Sequence, residues 1–72
     1  MTAEELRALE KEVAKAKRIA CDWAGKVHDL VEERLPASYR EMPELAQSTI
    51  EACKAWEELN SRLIDAKKTQ TT

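Results

Sequence analysis

The fold depends on one stretch of sequence, residues 28–43, which reads HDLVEERLPASYREMP. Pro36 and Pro43 are the only prolines of the chain. Proline lacks a backbone N–H, and it pushes the residue before it away from helical dihedral angles. The stretch also contains the only histidine, and two long amphipathic segments flank it. We therefore expect residues 28–43 to fold these two segments back on each other.

The first segment shows a heptad pattern, in which core positions recur at alternating spacings of three and four. Thr2 and Glu5 form the T-x-x-E capping-box pattern at its start. This spacing places the core positions on one face of a single helix, which we predict over residues 3–34. The stripe consists of Leu6, Leu9, Val13, Ala16, Ala20, Trp23, Val27 and Leu30.

The second segment repeats the pattern after a predicted turn over residues 35–42. Ser38 and Glu41 form a second capping-box pattern, which predicts a short helical turn over residues 38–41. The main helix is predicted over residues 43–68, starting near Met42, and residues 69–72 are expected to fray because they have no apolar anchor. Ile50 and Cys53 broaden its stripe on one side. The stripe consists of Leu45, Thr49, Ala52, Trp56, Leu59, Leu63 and Ala66.

Two heptad helices joined by a short turn predict an all-α fold, with residues 1–72 as a single antiparallel two-helix hairpin that packs like a coiled coil. A lone hairpin leaves much of each stripe in water, and a core of this size rarely supplies more than about 3–5 kcal/mol. Pairing of two hairpins into a four-helix bundle would solve this. We expect a homodimer as the minimum, with further association of dimers left open.

The two tryptophans, Trp23 and Trp56, both fall on core positions of the stripes. In a hairpin centred near residue 39 they would lie at comparable heights along the two helices. We therefore expect them to pack on each other as part of the core.

Composition excludes several classes of function. With 14 acidic and 12 basic residues the net charge is −2, which lacks the strong positive field that nucleic-acid backbones require. Nucleic-acid binding is therefore disfavoured. A glycine-rich phosphate loop and a nucleophile–base pattern are both missing from the sequence, so we expect no enzyme.

Location and thiol chemistry follow from the same sequence. A signal peptide and a membrane-spanning segment are not visible, which predicts a cytoplasmic protein without membrane contact. Cys21 and Cys53 are too far apart in sequence for a C-x-x-C motif. We expect both to stay reduced.

The candidate metal ligands are His28, Glu32 and Asp29. His28 lies beside core residue Val27, and Glu32 follows one helical turn later on the same face. Imidazole and carboxylate form a partial ligand set for zinc, nickel or iron, and symmetry mates or water would have to complete it. From spacing alone, a solvated histidine in a charged turn of helix is the stronger interpretation. Gly25 stands where a Glu-x-x-His motif needs its glutamate, which disfavours a ferritin-type di-iron centre.

A family resemblance appears in the turn and the start of the second helix, in the motifs His28-Asp29-Leu30, Leu35-Pro36, Tyr39 and Pro43-Glu44-Leu45-Ala46-Gln47. The chain resembles the Rop-like family of small helical-hairpin proteins encoded in nitrogen-fixation gene clusters of diazotrophic bacteria. The resemblance covers most of the chain and is most specific between residues 28 and 47.

This resemblance implies a hairpin that dimerises into a four-helix bundle and a non-enzymatic, metal-binding accessory protein associated with nitrogenase. It also implies that His28 is the best ligand candidate, whereas Glu32 and Asp29 come from helix geometry. The implied partner is a nitrogenase assembly protein. Two alternatives stay open: a metal-free adaptor dimer that docks another protein through its charged faces, and a Rop-like RNA-binding protein.

Overall fold

The computed structural model describes residues 2–70 of the chain, and side chains through residue 68. Helix α1 spans Ala3–Asp29, and one π-helical turn, Leu30–Arg34, continues it. A 3-10 turn at Tyr39–Glu41 leads into helix α2, which spans Met42–Gln70. Over the described residues the elements are all helical, and the long helices are joined into a hairpin. The predicted all-α hairpin is therefore confirmed.

The predicted capping residue begins α1. Thr2 has an extended backbone, and its hydroxyl oxygen accepts a hydrogen bond from the backbone N–H of Glu5 at 3.2 Å. Glu4 and Glu5 in the first turn interact favourably with the positive end of the helix dipole. A local signal, readable in four residues, thus accounts for where this helix starts.

The end of the first helix differs from the regular α-helix that the sequence predicts over residues 3–34. The last five residues wind as a π-helical turn, in which the N–H of Leu35 bonds to the carbonyl oxygen of Leu30 at 3.0 Å. Leu35 is extended, as the residue before a proline should be, and the N–H of Ser38 bonds to the carbonyl of Arg34 at 2.8 Å. These bonds satisfy the carbonyl groups of Leu30 and Arg34 at the end of the helix, where the last carbonyls of a helix need partners outside its regular ladder.

The predicted capping box at Ser38 is wrong, although the short helical turn exists. The Ser38 side chain makes no capping hydrogen bond. Glu41 instead accepts a hydrogen bond from Arg34, with 3.2 Å between Nη1 and Oε1. The Glu41 carboxylate thus pairs with the Arg34 guanidinium across the turn, and Glu41 contacts Ser38 only through its backbone N–H, which donates to the Ser38 carbonyl oxygen at 3.0 Å. At the other end of α2, helical backbone continues to Gln70, two residues beyond the predicted end, and the rest of the predicted frayed tail lies outside the described residues.

Packing follows the two predicted stripes, since every stripe residue is buried or half-buried. Leu9 and Leu63 lie in one cluster at equal distances along the sequence from Pro36, so the hairpin folds about Pro36. Leu30, at 1% exposure, is the most buried side chain of the described residues. The remaining members of the Leu9 cluster are Ala66, with Leu6, Val13 and Leu59 packed against it.

The result is a thin rod with Cα extents of 54 × 14 × 14 Å. A two-helix layer cannot enclose a cavity, so any site on one chain lies on its surface or at an interface. Across residues 2–70, neither helix combines the length and apolar character that crossing a bilayer requires.

Candidate functional site

Two of the three predicted metal ligands lie together near the end of the first helical segment. His28 lies in the last turn of α1, and Glu32 lies in the π-helical turn that follows. The Nε2 atom of His28 is 3.3 Å from Oε1 of Glu32, and the two side chains are 66% and 63% exposed. The pair is therefore open to solvent and to a ligand.

Asp29 does not join this pair. Within the part of the chain that the structure describes, no three His, Cys, Asp or Glu side chains gather as a group that could hold a metal ion. Adjacent residues on a helix point about 100° apart at 3.6 residues per turn, so Asp29 is directed away from His28. The contact between the predicted ligands thus joins two side chains, and the remaining positions around a metal would need water or a second chain.

The two tryptophans lie in different surroundings, contrary to the expected packing of one ring on the other. Trp23 lines a shallow depression with Leu45 and Glu44, and its ring also contacts Lys26, whose Nζ is 4.3 Å from the ring centre. Trp56 lines another depression with Ala20. The prediction placed the centre of the hairpin near residue 39, whereas the helices pair about Pro36, and this shifts the two rings apart along the rod.

The long sides of the hairpin differ in chemistry. Each residue turns about 100° around the helix axis, so residues that directly follow a stripe position fall on one side of the hairpin and residues that directly precede one fall on the other. We call the first the apolar side and the second the charged side. Two depressions on the apolar side hold mainly apolar residues: Val27, Leu30, Met42, Leu45, Ala46, Thr49 and Ile50 near the turn, and Lys17, Ala20, Cys21, Ala24, Cys53 and Trp56 farther along.

The charged side presents mixed charges. A depression near the chain termini is lined by Glu5, Ala8, Leu9, Glu12, Arg62, Asp65 and Ala66. Nearer the turn, Glu41, Glu44 and Ser48 lie around Trp23. The charged side is therefore suited to water. The apolar side also carries charged residues toward the chain ends, but near the turn and the two cysteines it retains apolar groups that water solvates poorly. The charged residues of the apolar side are Arg7, Glu10, Lys17, Glu57 and Lys67.

His28 belongs to the apolar side, because it directly follows the stripe residue Val27. It lies at the turn end of that side, where Val31 is 51% exposed and Ile50 is 48% exposed. The sequence predicts that Ile50 and Cys53 broaden the apolar stripe of α2, but this prediction does not include the corresponding residues of α1. The residues that follow each stripe position near the turn, in both helices, carry the signal for this apolar surface: Cys21, Ala24, Val31, Ala46, Ile50 and Cys53.

These features define a class: a small antiparallel helical hairpin with exposed apolar residues along one side near the turn and a surface histidine–carboxylate pair. The chain matches the Rop-like family over residues 4–68 and belongs to that family. Members of the Rop-like family are typically dimeric. Comparison with curated proteins and with solved structures returned no significant match.

Proposed function

We propose that this chain is a non-enzymatic accessory protein that acts as a cytoplasmic homodimer and binds a transition-metal ion through His28 and Glu32. In this proposal two hairpins pair through their apolar sides into a four-helix bundle. The observation that carries the metal-binding function is the 3.3 Å contact between His28 Nε2 and Glu32 Oε1 on an exposed surface.

The surface area of the chain supports pairing. The hairpin exposes 5675 Å², whereas a compact monomer of its mass, 8.2 kDa, exposes about 4,500 Å². The excess is roughly 1,100 Å², and a standard protein–protein interface buries about 800 Å² on each partner. A second copy covering one long side would therefore bring the exposed area per chain close to that of an ordinary folded protein.

The position of the exposed apolar residues indicates which side is covered. Val31 and Ile50 lie on the apolar side near the turn, and Ile64 lies on the same side nearer the chain ends, at 46% exposure. The charged side carries Glu12, Arg62 and their neighbours, whose burial would cost far more than the burial of aliphatic groups. The part of the apolar side between the two cysteines and the turn is thus the favourable surface for self-association.

The geometry of the histidine–carboxylate pair suits a metal ion. Zinc binds nitrogen and oxygen ligands at about 2.0–2.2 Å, and two such ligands at a tetrahedral angle lie about 3.3 Å apart. His28 and Glu32 have this separation in the structure. The two side chains could therefore bind one metal ion without a large change in their separation.

Two ligands from one chain bind a metal weakly unless other groups complete the coordination sphere. His28 lies at the rim of the apolar side, so a paired hairpin would bring further side chains near it. Water or a ligand from the second copy would fill the remaining positions. The metal, whether zinc, nickel or iron, would then bind near the subunit interface.

The association with nitrogen fixation rests on the likeness of residues 28–47 to hairpin proteins of nitrogen-fixation gene clusters. On this proposal the partner is a nitrogenase assembly protein, which would dock on the charged side because that side stays exposed in the dimer. Its mixed charges, which include Glu5, Glu12 and Arg62, would orient such a partner.

The test is elemental analysis and calorimetric metal titration of tag-free protein, with zinc, nickel and ferrous iron as probes. We expect micromolar or tighter binding by the wild type and loss of binding in His28→Ala and Glu32→Gln. Asp29→Asn is the matched control, because the Asp29 carboxylate is next to His28 in sequence but is not part of the His28–Glu32 pair. This variant should bind the metal ions as tightly as the wild type does. Absence of binding, or binding unchanged in His28→Ala, would refute the metal-binding function.

The second candidate function is a metal-free adaptor, which the charged side favours. Near the chain termini its lining combines the acidic residues Glu5, Glu12 and Asp65 with the basic residue Arg62, a charged surface suited to a protein partner. Metal-free protein that still bound a nitrogenase assembly protein would support this alternative. RNA binding is the third reading, and a salt-dependent gel shift would test it.

A further inference from the structure

Both cysteines of the chain lie in the same surface depression. Cys21 comes from α1 and Cys53 from α2, and both are exposed, unpaired thiols. They line a groove of about 280 Å³ together with Trp56, Ala20 and the side chain of Lys17. The small residues Ala20 and Ala24 leave room in the floor of this groove. The hairpin therefore presents two nucleophilic groups at one apolar place.

This groove lies on the apolar side, because Cys21 directly follows the stripe residue Ala20 and Cys53 directly follows Ala52. If two hairpins pair through that side, as the proposed function holds, the thiols are covered in the dimer. In a dissociated hairpin they are open to solvent. Access to the two thiols is thus linked to the association of the chains.

We propose that Cys21 and Cys53 form a modification site, at which mixed disulfides with a low-molecular-weight thiol keep the hairpins apart. The inference rests on the proposed homodimer. Glutathione carries charged carboxylates, and a group of this size in the groove would place them on the surface that the second copy must cover. Burying those charges without partners is unfavourable, so the modified hairpins do not pair.

The chemistry is thiol–disulfide exchange with a small disulfide such as oxidised glutathione. A cysteine thiolate attacks one sulfur of the small disulfide, a new S–S bond forms to the protein, and the old S–S bond breaks. The leaving thiolate departs with the bond's electron pair and takes up the proton that the cysteine released. One protein thiol and one small disulfide give one mixed disulfide and one small thiol, and excess small thiol reverses the reaction.

The test is sedimentation velocity of the full chain before and after treatment with oxidised glutathione. The reduced wild type should sediment as a dimer. The protein is loaded with glutathione at high dilution, and mass spectrometry verifies adducts on both cysteines. This modified protein should sediment as a monomer at concentrations where the reduced protein is dimeric. Its apparent dissociation constant should rise at least about tenfold. Excess reduced glutathione should restore the dimer.

The control variant is Asp22→Cys combined with Cys21→Ser and Cys53→Ser. Asp22 neighbours Cys21 in sequence and lies toward the charged side, so the same adduct there should leave the dimer intact. An adduct on Cys21 and Cys53 that leaves the dimer unchanged would overturn the inference, as would dissociation of the control. A monomeric reduced wild type would overturn the homodimer and the inference with it, so the unmodified sample separates the two failures.

Discussion

Replacing Ile50 by glutamate should dissociate the proposed dimer. Ile50 lies on the apolar side, beside the groove formed by Val27, Leu30 and Met42, and it is 48% exposed in the single hairpin. Full burial of an isoleucine side chain contributes about 1.5–3 kcal/mol of stabilisation. Because about half of the Ile50 side chain is exposed, its burial at an interface would contribute about 0.7–1.4 kcal/mol to the free energy of association.

A symmetric dimer contains this contact twice. Its loss therefore weakens association by about 1.5–3 kcal/mol, which corresponds to a factor of roughly 10 to 150 in the dissociation constant. Burial of two unpaired carboxylates adds to this cost. We expect Ile50→Glu to remain helical and to dissociate at concentrations where the wild type is dimeric.

Ile19→Glu is the matched control. Ile19 is the same residue type with 43% exposure, but it directly precedes Ala20 and therefore lies on the charged side. It should leave the dissociation constant within a few-fold of the wild-type value. Sedimentation equilibrium over a dilution series measures both constants, and circular dichroism checks that each variant is folded. Equal weakening by the two substitutions, or no weakening by Ile50→Glu, would refute the assignment of the apolar side as the interface.

Three further substitutions test the hairpin itself. Leu30→Ala removes the most buried side chain of the described residues, which is 1% exposed, and should lower the free energy of unfolding by about 2–5 kcal/mol. Circular dichroism should show a large fall in melting temperature. A fall of only a degree or two would contradict the place of Leu30 in the core. Gly25→Ala should raise the free energy of unfolding by about 1 kcal/mol, because alanine favours the helix over glycine and a Cβ at this position meets nothing within 4 Å. Urea titration measures this change, and a loss of stability would contradict the prediction. Arg34→Ala should lower the free energy of unfolding by no more than about 1 kcal/mol, because the side chains of Arg34 and Glu41 are 44% and 51% exposed. A double-mutant cycle with Glu41→Gln measures the coupling energy of this ion pair. A coupling energy of several kcal/mol would contradict the prediction.

The core positions of both helices could be predicted from sequence because their signals are local. Heptad spacing specifies which residues share a helix face, and Thr2 with Glu5 specifies where α1 starts. The contact between His28 and Glu32 was also predictable, because residues four apart on a helix are neighbours whatever the rest of the chain does.

The turn was predicted less well because its hydrogen bonds join residues on both sides of it. Ser38 and Glu41 match a capping box in sequence, but Arg34 lies within reach of Glu41 once the chain has folded back. The π-helical turn ending at Arg34 likewise depends on how the chain leaves the helix at Leu35 and Pro36. A four-residue pattern contains no information about such competitors.

The sequence by itself determined two amphipathic helices, their core faces and a break near Pro36. Only the tertiary structure decided how the helices align along their axes. That alignment separated Trp23 from Trp56 and brought Cys21 and Cys53 to one groove. The physical reason is that a heptad sets the direction of a side chain around its own helix axis, whereas the axial offset between two helices depends on the geometry of the turn and on how the facing side chains pack.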